Sequence, residues 1–446
     1  MKRKAPRAFF SKQKDRPMAD PKFTKGRNYS FSLKVGVENP EDGTDDLSIY
    51  LDSIRFVNTM GSIYPTFIFL FKADATEIIS RNMYGENTLK FTVSLDKEDG
   101  NSVEFLNLEL LYLQSNLSLV PKTMGGTTSE DKDLGGISLS AIILPCYNMM
   151  STLINYIFEE RASVGPFDAL LEALLDKVNG EIEFDKKGKN EEEINQCIIP
   201  TMSVIKTIDF FNETYGLFEG PLHRYCIWDN KKKESVLQMW DLSKRIKTKP
   251  VAKIWHLPAG APAGEVESII EKCDQKPHYY YTDSPLMTLH HANSNVINAT
   301  HKKKQIIHPD DLLFFNIENN LDDVMENLGV YDDNDSMKFN EDMVGVTPDV
   351  CTGLKGLARN TYALSSRMAK QIQNTTSVKL TIIRNVDIEN LIKIGSPIQL
   401  EPMSESYLGY QGKFILQTSD IQWFKNGSEQ WNCNVTLTMF RSSQEK

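Results

Sequence analysis

Strand-like alternation of apolar and polar residues fills both ends of the chain, and helical periodicity is concentrated in its middle. Near the start, Tyr29–Val37 (YSFSLKVGV) and Leu47–Val57 (LSIYLDSIRFV) carry apolar side chains with a period near two, as half-buried strands do. Ile63–Phe71 (IYPTFIFLF) predicts a further strand, followed by a short helical piece over residues 73–80. A turn at Tyr84-Gly85 leads to a strand at Thr88–Leu95, and an Asp99-Gly100 turn precedes Ser102–Val120. So many short strands with so little helix predict a small antiparallel barrel or sandwich over residues 29–124.

The polar, Gly-rich run Gly125–Gly136 then reads as a linker. Helical periodicity follows in Tyr147–Arg161 and in Gly165–Val178, the latter with Pro166 in its first turn. In the next helix, Val204, Ile205, Ile208, Phe211 and Tyr215 fall on one face, and Gly216 stands where a C-cap is wanted. A hairpin comes next, with strands from about Leu222 to Trp228 and Ser235 to Leu242 around the turn DNKKK. From about Ser243 to Met343 the pattern is irregular and polar, and a helix is expected over residues 353–373.

The clearest strands close the chain: Val378–Asp387, Ile394–Pro402, Lys413–Phe424 and Gln430–Phe440, the last two around a turn with Asn426-Gly427. In the final one, Trp431, Cys433, Val435, Leu437 and Met439 alternate with Asn432, Asn434, Thr436 and Thr438, so one face is buried and the other wet.

Bulk properties narrow the class. A chain of 446 residues exceeds one core, so several domains are expected. Ile63–Phe71 is too short to cross a bilayer as a helix, and no apolar run follows the basic N-terminus, so neither membrane insertion nor secretion is expected. The net charge of −10 argues against a general nucleic-acid binder, although the first residues form a cationic arm. The six cysteines show no CxxC spacing, the usage of reduced thiols.

Candidate chemistry is sparse. His290, His291, His301 and His308 cluster in the irregular region, yet no HxxxH or HExxH spacing arranges them for a metal, and adjacent strand histidines face opposite ways. Asp332, Asp333 and Asp335 lack the glycine and terminal glutamate of a calcium loop. Cys226 and His223 stand three apart on one strand, on opposite faces, which forbids a nucleophile–base pair. The chain has no phosphate-binding loop, dinucleotide fingerprint or nucleophile elbow. Hence no catalytic, cofactor-binding or metal residues are assigned, no cofactor is expected, and the expectation is a non-enzyme.

In this order the elements resemble the baseplate hub protein of contractile-tailed, T-even-like bacteriophages, within the tail-tube and hub barrel superfamily. The resemblance rests on Ile54–Val93, including Met83-Tyr84-Gly85-Glu86-Asn87-Thr88-Leu89, on the helix and hairpin from Ile208 to Leu242, and on Ile392–Phe440. Residues 247–342 and the basic arm fall outside it.

The fold class it implies is α+β: two related antiparallel, tail-tube-like β-barrel domains with helical and irregular insertions. The corresponding division is a basic N-terminal arm (1–28), a first barrel (29–124) and a helical or mixed domain (125–207). A helix and hairpin opening the second barrel (208–243), an irregular insertion (244–345), a helix or linker (346–377) and the barrel's completion (378–446) follow.

The resemblance also implies a homotrimeric, pseudo-sixfold ring in the virion tail baseplate, assembled in the host cytoplasm. Its partners would be the tail spike protein, the tail tube protein and baseplate wedge proteins. DNA would transit the lumen without specific binding during ejection, past a wall that the acidic net charge suits. Three alternatives stand beside it. One is a tail-tube initiator or spike-complex protein of a related contractile injection machine. Another is a metal-dependent hydrolase using the histidines from His290 to His308. The last is a standalone carbohydrate- or peptide-binding β-protein.

Overall fold

The structure, a computed structural model, describes residues 29–39, 43–60, 62–72, 79, 88–97, 102–118, 136–158, 164–175, 177–186, 189–190, 197–218, 222–245, 247–257, 263–283, 288–291, 376–404, 410–425 and 430–441. The basic arm, the helix at 73–80 (Ile79 apart), the turns at 84–85, 99–100 and 426–427, the linker at 125–135 and the helix at 353–373 lie outside the described residues. So does the insertion beyond residue 291, with His301, His308 and Asp332, Asp333 and Asp335.

The fold is α+β, and two β-units dominate it, the first antiparallel and the second mixed. The first unit comprises β1 (Tyr29–Asn39), β2 (Gly43–Asp46), β3 (Leu51–Thr59), β4 (Thr66–Lys72), β5 (Thr88–Lys97), β6 (Ser102–Ser118) and β7 (Gly136–Ile143). Its spatial order is β3-β4-β7-β6-β5-β1-β2. Phe67, Phe69 and Phe71 of β4 all point inward, and the first two meet Phe91 of β5 at ring-centroid distances of 5.2 and 5.5 Å. Strict alternation therefore serves one purpose here, to bury one face of each strand.

Strand β7 extends this unit beyond the expected boundary at residue 124. It sits between β4 and β6, in a segment where no strand is expected from the sequence. Its Ile137, Leu139 and Ala141 are buried and alternate with Ser138 and Ser140, the pattern of a half-buried strand, in a short stretch between the Gly-rich run and the helix that follows.

A short middle segment follows, with α1 (Leu144–Ser151), β8 (Leu153–Phe158), α2 (Pro166–Leu175), β9 (Glu181–Phe184), β10 (Cys197–Ser203) and α3 (Val204–Thr214). The expected helix over residues 147–161 ends at Ser151. Thr152 turns extended at φ −52°, ψ 131°, while its Oγ1 donates to the Asn148 carbonyl, 2.8 Å away. The residues beyond are β-branched and aromatic, and they pair with β10 instead of continuing the helix. Pro200 has no N–H for that ladder, and the register shifts between Ile199 and Met202.

β11 (Leu222–Asp229) and β12 (Glu234–Asp241) form the expected hairpin, but they do not open the second barrel. The hairpin pairs in parallel with β9 and makes a separate three-stranded sheet. It docks between the two units: the Cys226 N–H donates to the Ile63 carbonyl, and the His223 ring lies over Gly395. Position in sequence gave no sign of β9, whose four residues are too short to show a period.

The second unit begins after α4 (Leu242–Arg245), within the segment expected to be irregular. There β13 (Ala252–His256), α5 (Ala263–Gln275) and β14 (Tyr279–Thr282) make a βαβ unit whose strands run parallel, and β13 pairs in parallel with β17 (Pro397–Pro402). β15 (Thr288–His291) pairs with β16 (Thr376–Ile383). β18 (Gly412–Lys425) and β19 (Trp431–Arg441) complete the unit, in the spatial order β14-β13-β17-β18-β19-β16-β15.

The two units share one sheet of 14 strands, because β18 pairs directly with β3. Their cores are continuous as well. Fully buried Trp423 on β18 meets Phe31 of β1 edge-on, with ring centroids 6.1 Å apart. Replacing Trp423 with Ala should therefore lower stability by about 3–5 kcal/mol, read from urea unfolding, since the cavity opens where both cores meet.

Candidate functional surface

Among the described residues no helix is long and apolar enough to cross a membrane, and no three His, Cys, Asp or Glu side chains converge on a point fit for a metal ion. The distinctive feature is a face. Six strands, β16-β19-β18-β3-β4-β7, lie side by side across the junction of the two units. Their inward residues build the core, and their outward residues line up in cross-strand rows fixed by the register.

One row runs Thr381, Thr436, Asp420, Val57, Thr66. The next runs Ile383, Asn434, Gln422, Arg55, Ile68, Ser140. A third runs Asn432, Phe424, Ser53, Leu70, Ser138. Hydroxyls bond across the strands: Thr381 with Thr436 and Thr59 with Thr418, each at 3.1 Å. Small β-branched hydroxyl residues suit such a face, because they stiffen a strand and hydrogen-bond without charge.

Charge is almost absent from these rows, although the chain as a whole carries −10. Arg55 and Asp420 are the charged residues in them, and they bind each other. Arg55 Nε donates to Asp420 Oδ1 at 2.8 Å and Nη2 to Oδ2 at 2.6 Å, a two-pronged pair across the β3–β18 junction. Hydrogen bonding to Asp420 raises the Arg55 pKa further above its ordinary value. Lys379 and Lys72 lie outside these rows, toward opposite ends of the face. The acidic surplus of the chain therefore does not sit in these rows.

The residues singled out for chemistry are placed differently. His223 stacks on Tyr225 at a centroid distance of 6.0 Å and packs against Trp240 at 5.7 Å. Cys226 lies on the other side of the strand, its sulfur 3.7 Å from that of Met149. Contact with Cys146 and burial push the Cys226 thiol well above its ordinary range, which keeps it protonated and inert. His290 and His291 occupy successive positions of β15. The residue pair that organises the face, Arg55 and Asp420, was not singled out in the sequence. Neither residue belongs to a motif, and 365 positions separate them.

No family model matches the chain, and no curated protein matches it. Among solved structures it is similar to a tail protein from Neisseria meningitidis MC58, at 10% identity and a TM-score of 0.45, covering 93% of this chain and 97% of that one. It is also similar to the 43 kDa tail protein of prophage MuSo2 from Shewanella oneidensis, at 8% identity and a TM-score of 0.42, covering 92% and 97%. A third is the E. coli c3393 protein, a type VI secretion component described as similar to the T4 bacteriophage tail proteins gp27 and gp5. It matches at 7% identity and a TM-score of 0.42, covering 88% and 74%.

His223 supplies a direct test of the hairpin's structural role. Both ring nitrogens are buried without a hydrogen-bond partner among the described residues. Burial first, then the nearby Arg245 and Arg224 charges, lower its pKa from 6.5 to about 3. The unfolded chain thus binds a proton that the folded chain refuses between those values, so stability rises with pH through that window and is flat above it. At pH 4 the penalty is about 3 kcal/mol. His223→Leu should remove that part of the acid sensitivity, seen as a shallower fall of the melting temperature from pH 7 to pH 4.

Proposed function

We propose that this chain is a structural ring subunit of a contractile tail, the central hub of a phage-type baseplate. In this reading three copies form a pseudo-sixfold ring that joins the tail tube to the spike and passes DNA during ejection. The observation that carries it is the junction of the two barrel-like units. Two such units per chain, fused through β3 and β18, give three chains six sheet segments of similar width around an axis. The continuous face across that junction is hydroxyl- and amide-rich and has little charge in its central rows, as suits a wall past which a polyanion slides.

The same proposal includes the remaining partners. A ring stacks on a tube and a spike through its two rims, and wedge proteins meet its outside. The role is mechanical, with no catalytic residue, metal or cofactor. Placement in the virion baseplate and assembly in the host cytoplasm belong to the same proposal.

Mass measurement of the purified protein, together with negative-stain electron microscopy, tests the reading. A particle three times the 50.7 kDa chain mass, seen as rings with a central hole, is the expected result. A monomer at micromolar concentration with no ring would overturn it.

A further inference from the structure

Resting on the hub reading, we infer that Asp420 keeps the DNA path non-adhesive by masking Arg55. A guanidinium is the side chain best shaped to grip a phosphate, and Arg55 projects from the middle of the joined face with half of its side chain exposed. In the three central rows its neighbours are Gln422 and Ile68 in register, with Asp420 on the diagonal. Asp420 occupies two of its donors through both carboxylate oxygens. A clamp on strand pairing explains the pair less well. The ladder around it already holds seven register pairs from Thr418–Thr59 to Phe424–Ser53, and a half-exposed ion pair adds little to stability. A polar residue without charge at position 420 would serve the sheet equally, as Thr436 and Thr438 do on the next strand.

An unmasked Arg55 would add one phosphate contact per chain, and a ring of three would add three along one path. The cost of such contacts falls on transit: DNA held at several phosphates leaves more slowly.

Binding of short double-stranded DNA to the purified full-length protein tests this, by fluorescence anisotropy from 50 to 300 mM salt. Asp420→Asn, and separately Asp420→Thr, which places a strand-forming residue there in case the first misfolds, should bind at least about tenfold tighter than wild type at 50 mM. The gain should close with salt, with a steeper dependence by about one per chain. Arg55→Gln combined with Asp420→Asn should return binding to the wild-type level.

If folded Asp420 variants bind no tighter, or if the double variant binds as tightly as Asp420→Asn, the inference fails. That outcome is distinct from failure of the hub reading, which shows in the mass of the wild-type particle. The salt dependence can be read on a monomer as well as on a ring.

Discussion

The pairing of β3 with β18 is the constraint on which the rest of the molecule depends. A sheet ends wherever a strand's N–H and C=O groups find no partner, and such an edge invites aggregation. Here the edge of each unit is closed by the other, over seven residue pairs. The register is held from both faces. Inward, the Asn58 side-chain amide donates to the Ile392 carbonyl at 2.7 Å; outward, Thr59 meets Thr418 and Arg55 meets Asp420. A slip of one residue would send Trp423 to solvent and Asp420 into the core. The junction therefore fixes the continuity of the core and the composition of the outer face at once.

The small sheet of β9, β11 and β12 fills the angle beside that junction. Its hairpin carries the residues that most resemble chemistry, and packing consumes each of them. Arg224 grips Asp209 of α3 with two hydrogen bonds at 2.6 and 2.7 Å, tying the hairpin to the helix before it. Arg245 lies over the Trp240 ring, 3.5 Å from its centroid, and pairs with Asp185. Gly395, at φ +76°, brings its backbone so close to His223 that a Cβ there would lie 2.8 Å from the ring. Buried polar groups in this wedge specify how the pieces dock.

Electrostatics divides along the same lines. Away from the central rows, charged side chains find opposite partners: Lys90 pairs with Glu38, and Lys253 bonds Glu401 at 2.9 Å. Across the junction, threonine, serine, asparagine and glutamine take those places, and the two charges left in the rows cancel each other. Net charge computed over a whole chain says nothing about one face, because side chains of a strand separate onto two sides and distant segments meet on one of them.

The sequence by itself determined the local elements with strong periods. β1, β3 to β6 and β16 to β19, the helices at Pro166 and Val204 and the hairpin at Leu222 all follow from alternation or helical spacing, which the neighbouring residues impose directly. It also excluded a Cys226–His223 pair, since strand geometry alone separates them. Only the tertiary structure decided where those elements go. β9 and the strands of the βαβ unit from Ala252 to Thr282 are only four or five residues long, so their strand character depends on partners far along the chain. The hairpin's assignment to β9 rather than to the second barrel, and the meeting of Arg55 with Asp420, rest on pairings between residues too distant for any local pattern to record.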